Sequence, residues 1–318
     1  MSFHCTNSCS VPNTLCTITS HSISIPSLKL KCNTNNNRFK IHAKSNSDDA
    51  PQQPTSTPSS FLSFLCPLLN LFSGGDPSGQ RNFALELATS SLASTSRFAW
   101  GRKSVIESAS SEKIASEPPI SLQLFEFEAC PFCRRVREAM TELDLSVEVS
   151  RRFITYTTFN IYCSFEFPFL IDQNSGVSMY ESSDIVKYLF ERYGEGRSPS
   201  LGLLESTIFT GWMPTIIRAG RGMTLWERSR VEPPPTKLEL FSYENNPDAR
   251  IVREALCELE LPYILQNVGE GSRRMKLLFD ASGSKEVPYF VDHNTGFQSG
   301  DYKMILPYLF ETYSSANL

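Results

Sequence analysis

Four consecutive residues carry the clearest covalent chemistry in this chain: Cys130-Pro131-Phe132-Cys133. Two thiols with two residues between them lie about one turn apart where a helix begins, close enough to exchange a disulfide. A helix start offers unpaired N–H groups and about half a positive charge. A thiolate held there has its pKa drawn from ~8.5 toward ~4–7. Cys130, first in the turn and the more exposed, is the expected nucleophile, and Cys133 the resolving thiol that attacks a mixed disulfide. Pro131 stiffens the turn, and Arg134, Arg135 and Arg137 add positive charge nearby. Two other readings compete. Half of a zinc site would need two more ligands. Past the N-terminal segment only Cys66, Cys163, Cys257 and His293 remain, and none makes a second close pair. Alternatively, both thiols are inert.

The elements that must position these thiols can be read from an internal repeat. Slid by 116 residues, 122–149 lies over 238–265 with 13 identities in 28 positions. At an offset of 120, 168–193 lies over 288–313 with 10 identities in 26. Each copy opens on a short strand, 121–127 or 237–243, with alternating apolar residues. A turn and a helix follow, with Val136, Ala139, Met140 and Leu143 on one face, matched by Val252, Ala255, Leu256 and Leu259. A second strand, a crossover, a hairpin opened by Pro168 or Pro288, and a final helix complete the copy. The second copy has lost the thiols: Asn246 stands at Cys130, Ala249 at Cys133, and Asp301-Tyr302 at Glu181-Ser182. It reads as a structural or ligand-holding copy. Cys257, at the position of Thr141, reads as inert.

A strand, Cys-x-x-Cys at a helix start and a later Pro opening a strand resemble the thioredoxin fold, and Cys-Pro-Phe-Cys resembles the glutaredoxin form. The compact unit with Glu181-Ser182 at its last helix is similar to the N-terminal domain of glutathione transferases. Two such units behind an organelle address resemble plant plastid thioredoxin-family proteins with duplicated domains of this kind. The resemblance covers 120–313. It implies an α/β fold of two tandem thioredoxin-like domains, each β-α-β-(α)-β-β-α. It also implies a cis peptide before Pro168, glutathione as substrate or reductant, and glutathione contacts at Phe167, Pro168, Glu181 and Ser182.

Two stretches depart from that pattern. Within 151–167, the run 153–163 is β-branched and aromatic where the second copy has a helical pattern at 272–279. The crossover helix of the first domain is therefore open, the segment being a diverged loop or a local sequence or splicing error. The connector 194–235 closes on Pro233-Pro234-Pro235 and cannot replace the all-helical domain of glutathione transferases.

The rest of the chain bounds the setting. Residues 1–47 hold no Asp or Glu and many hydroxyl residues, the composition of a plastid transit peptide, with Ile41-His42-Ala43 as a cut site. The expected location is the chloroplast stroma. The expected organisation is 1–43 transit peptide, 44–119 disordered linker, 120–193 first domain, 194–235 linker and 236–318 second domain. Phe83, Ala84, Leu87, Ala88, Ser91 and Leu92 have the spacing of a short helix inside the first linker. The formal net charge of −4, without a basic stripe, argues against nucleic acid, and no apolar run is long enough to span a bilayer. The leading expectation is a plastid thiol–disulfide oxidoreductase acting on glutathione or protein disulfides. A glutathione transferase-like enzyme and a non-catalytic partner-binding scaffold are the alternatives.

Overall fold

The computed structural model describes residues 82–105, 118–151, 167–206 and 210–315. The expected transit peptide, most of the first linker and 152–166 lie outside the described residues. Seven helices are described: α1 (Phe83–Thr95), α2 (Pro131–Glu142), α3 (Ser182–Tyr193), α4 (Trp212–Ile217), α5 (Pro247–Glu258), α6 (Met275–Ser282) and α7 (Tyr302–Thr312). Eight strands accompany them: β1 (Leu122–Phe125), β2 (Val147–Ser150), β3 (Phe169–Asp172), β4 (Val177–Met179), β5 (Leu238–Ser242), β6 (Tyr263–Asn267), β7 (Tyr289–Asp292) and β8 (Phe297–Ser299). None of the described helices is long and apolar enough to cross a membrane.

All eight strands form one sheet in the order β4-β3-β1-β2-β6-β5-β7-β8. In each half the first strand pairs parallel with the second and antiparallel with the third, which hairpins into the fourth. The halves meet where β2 pairs antiparallel with β6, Val147 opposite Leu265 and Val149 opposite Tyr263. Glu148 faces Ile264, its own counterpart at an offset of 116, so the join is two-fold in register. One hydrophobic core runs through both halves, from Leu122, Val136 and Leu189 to Leu238, Val252 and Leu309. The crossover helix of the second half is α6, where Leu278 packs with Phe241, Val268 and Tyr289.

Several identities of the repeat have a structural cause. Asp172 accepts hydrogen bonds from the Tyr188 hydroxyl at 2.6 Å, the Tyr193 hydroxyl at 2.5 Å and the Asn174 backbone N–H at 2.9 Å. Burial works against its charge, yet these donors hold its pKa down at about 2. Asn174 in turn donates to the Ile120 carbonyl at 2.7 Å. Asp292, Asn294, Tyr308 and Tyr313 repeat the arrangement in the second half. Each half thus pins its hairpin to its last helix through one buried carboxylate.

The helices are held by buried charge. Arg137 pairs with Glu126, with Glu128 at 3.1 Å and with Glu244 at 2.7 Å. Arg253, its counterpart, pairs with Glu128 at 3.0 Å and Glu244 at 3.2 Å. Glu128 and Glu244 are themselves counterparts, so two arginines and two glutamates from both halves close a four-membered array. A second tier flanks it. Arg97 pairs with Glu138, and Arg218 pairs with Glu254 at 2.5 Å and Glu86 at 2.5 Å.

That second tier corrects the expected linkers. Arg97 and Arg218 lie 121 residues apart, as do Gly101 and Gly222. Both glycines have positive φ, 69° and 76°, and both press on the array. A Cβ on Gly101 would meet Glu138 and Glu244 at 3.0 Å, and one on Gly222 would meet Glu128 at 2.8 Å. The Val105 N–H donates to the Glu142 carbonyl at 2.8 Å, and the Trp226 N–H to that of Glu258 at 2.9 Å. Each half is therefore preceded by its own helix and Arg-x-x-x-Gly turn. The helical spacing noted at Phe83 is realised in α1, but its buried residues are Glu86, Ser90, Ala93 and Ser94, and its leucines face outward.

Removing one member of a buried array strands its partners without counter-charge. Arg137→Met should destabilise the protein by about 3–5 kcal/mol, read as a loss of urea midpoint or as failure to accumulate folded chain. Arg192→Met, on the surface of α3, should stay within about 0.5 kcal/mol of the parent.

Candidate functional site

Cys130 is the N-cap residue of α2, and Pro131 occupies the first helical position. The Cys130 sulfur accepts the Cys133 N–H at 3.4 Å. Asn246 caps α5 in the same way, its side chain accepting the Ala249 N–H at 2.7 Å. The two halves share a capped helix start, and only in the first is the capping atom a thiol sulfur. Both Cys130 and Cys133 are free thiols.

The two thiols are polarised in opposite senses. Burial opposes charge on Cys130, but hydrogen bonds from the Cys133 thiol and from the N–H groups of Cys133 and Phe132 bring its pKa below the ordinary thiol value. Burial, together with the proton shared toward Cys130, pushes Cys133 well above it. The neighbouring arginines do not act as expected. Arg134 bonds Glu138 at 3.1 Å and Asn245 at 3.1 Å, and Arg137 sits in the central array. The lowering at Cys130 comes first from the Cys133 thiol and then from the N–H groups of the helix's first turn. The nearby acid Glu126 works against it, and burial raises the pKa of Glu126 itself to about 7.

The remaining predicted residues lie at the entry to β3 and at the start of α3. The Phe167–Pro168 peptide is cis, as is Val287–Pro288. Phe127, whose carbonyl accepts the Cys130 N–H at 3.1 Å, stacks edge-on against Phe167 with ring centroids 5.8 Å apart. In the second half Asn246 donates to the Val287 carbonyl at 3.4 Å, linking helix cap and cis peptide directly. Ser182 opens α3, buried, and Glu181 precedes it, exposed, with φ 69° and no side-chain cap bond. A positive φ on a glutamate costs about 1–3 kcal/mol and tends to mark functional positions. Its counterpart Asp301 has φ −101° and caps α7 through the Lys303 N–H at 2.9 Å.

Three further residues belong to the site. Arg135 donates to the hydroxyls of Ser182 at 3.2 Å and Ser183 at 2.6 Å, tying α2 to the start of α3. Burial and the charge of Arg97 lower its pKa to about 10, and it remains cationic at neutral pH. Its counterpart is Ile251, a contrast within the repeat that could have singled it out. Thr215 and Trp212 come from α4, inside the expected linker. The Thr215 hydroxyl donates to the Ala129 carbonyl at 2.5 Å, and the Trp212 ring meets Phe132 edge-on at 6.5 Å. Nothing in the local pattern around α4 announces that contact. Cys130 is left 4% exposed and Cys133 fully buried. Cys257 donates to the Gly222 carbonyl at 3.0 Å, and burial pushes its pKa to about 12, consistent with an inert thiol. Among the described residues no group of three or more His, Cys, Asp or Glu could hold a metal ion.

At pH 6 and limiting iodoacetamide, Cys130 should alkylate at least about tenfold faster than a free cysteine, with Cys133 and Cys257 unmodified. Peptide mass spectrometry across pH 4–9 reads both. A Cys130 profile with an ordinary thiol midpoint would contradict the helix-start account.

No curated protein and no solved structure matches the chain. The family model described as "Glutathione S-transferase, N-terminal domain" matches residues 124–197, from β1 to just past α3, and so includes the thiols, the cis peptide and the start of α3. A glutathione S-transferase N-terminal domain, of thioredoxin fold, thus lies at 124–197, and at the level of that family glutathione-linked redox or transferase chemistry fits the chain.

Proposed function

We propose that the protein is a glutathione-linked thiol–disulfide oxidoreductase of glutaredoxin character, working in the plastid, with Cys130 as nucleophile and Cys133 as resolving thiol. The observation that carries this reading is the placement of two free thiols at one helix start, where the Cys130 sulfur caps α2 and accepts the Cys133 N–H. The Cys130 thiolate attacks one sulfur of a substrate disulfide, forming a mixed disulfide and releasing the other sulfur as a thiolate. Cys133 then gives up its proton and attacks the Cys130 sulfur, releasing the second substrate thiol and leaving a Cys130–Cys133 disulfide. Two molecules of glutathione, oxidised together to one glutathione disulfide, return the pair to its dithiol state.

The surroundings support glutathione as the partner. Arg135 places positive charge beside Ser182, suiting a carboxylate of glutathione, and the Phe167 ring meets Phe127, whose carbonyl accepts the Cys130 N–H; the Phe167 backbone is proposed to pair with an extended peptide. The second half, with Asn246, Ala249 and Ile251, is proposed to be a diverged copy that braces the first. The family match also favours a second reading, addition of glutathione to an electrophile at the same site.

Cys130→Ser should bring reduction of a glutathione mixed disulfide to background. Cys133→Ser should keep that activity within about tenfold while losing reduction of an intramolecular dithiol substrate. Ser182→Ala and Arg135→Met should raise KM for glutathione with a smaller effect on kcat. Full disulfide reduction by Cys130→Ser would overturn the proposal. Conjugation of an aromatic electrophile that survives Cys133→Ser, without disulfide reduction by the parent, would establish the second reading.

A further inference from the structure

Helix α1 is built inside out. Its sequence, FALELATSSLAST, holds a single charged residue, Glu86, and that residue is buried. Glu86 faces inward because it completes the pairing of Arg218, and Ser90 beside it donates to the Pro247 carbonyl at 2.6 Å. The inner face is thus largely committed to polar contacts, and Leu85 and Leu92, two turns apart on one outer face, are 61% and 59% exposed. Helix α4, which packs against α1, also directs Met213 and Ile216 outward. The result is an uncharged outer surface on two adjoining helices. An exposed apolar surface of this kind marks something that binds over it.

We propose that the occupant is the chain's own segment Phe61–Phe72, docked on the outer face of α1 and α4. That segment, FLSFLCPLLNLF, carries no charge and only Ser63 and Asn70 as polar residues. Nine residues, 73–81, join it to Asn82, the cap of α1, and they are rich in Gly and Ser. Nine extended residues reach about 30 Å, and a 13-residue helix is about 20 Å long, so the tether suffices for the segment to fold back along α1. Such a tether holds it at an effective concentration in the millimolar range, roughly. A second copy of the chain is a poorer fit. A standard interface engages roughly 20–30 residues a side, and this face offers a handful. Docking buries both apolar surfaces at once and places the N-terminal region across the helix that also braces the thiol turn.

Cys66 lies inside the segment and reports on it directly. In the full-length chain, maleimide labelling of Cys66, followed by peptide mass spectrometry, should run at least about tenfold slower than in urea. The double variant Leu85→Glu, Leu92→Glu should restore fast labelling, with unchanged circular dichroism and unchanged elution volume. Because those side chains point to solvent, the fold should tolerate the change. Independently, Phe64→Asp with Leu68→Asp should raise binding of an apolar dye to the uncovered face. Three results would overturn the proposal: Cys66 labelled as fast in the native chain as in urea; a dimer that the leucine variants dissociate while Cys66 labelling is unchanged; or protection of Cys66 that arises only with phosphatidylcholine vesicles.

Discussion

The array formed by Arg137, Arg253, Glu128 and Glu244 is the constraint on which the other arrangements rest. Burying two guanidiniums and two carboxylates is tolerable only when each touches both opposite charges and the remaining donors are used. That requirement brings α2 and α5 together and draws two glycine turns against the array, where no side chain would fit. It leaves α2 enclosed on nearly every side, so that almost every one of its residues is buried. That enclosure includes the first turn, where Cys130 caps the helix and Cys133 is buried.

The sequence made the repeat legible because its identities answer to geometry that both halves need. Asp172 with Asn174 and Tyr188, and their counterparts, recur because each half must pin its hairpin to its last helix. The strand-helix-strand order and the thiols at a helix start were readable for the same reason: apolar periodicity and cap chemistry are local. What escaped the reading was long-range. Arg97 and Gly101 match Arg218 and Gly222 at an offset different from that of the main repeat, and two identities in a short window do not stand out. The roles of Arg134 and Arg137 were misjudged because proximity along the chain to Cys130 says nothing about the carboxylates that meet them from the other half. Helix α1 defeated the usual inference that leucines point inward, since its inner face was already claimed by an arginine's need for Glu86.

The two halves separate fold from chemistry. Asn246 and Cys130 perform the same service for the helix that follows, accepting the third residue's N–H. A side-chain oxygen is the better cap, so helix capping alone does not account for the sulfur at Cys130. The same division appears at Glu181, where a strained backbone persists in the half with thiols while Asp301 relaxes into an ordinary cap in the half without them.

The junction of β2 with β6 has a consequence for the chain as a whole. Cut between the halves, each fragment would present a bare strand in mid-sheet, a template for pairing with any other chain. Glu244 would lose Arg137 and Glu128 would lose Arg253 at the same stroke, each buried carboxylate left with one of the two arginines of the array. Neither fragment is self-sufficient, and the peptide link between them fixes a one-to-one stoichiometry that separate chains would have to find by diffusion.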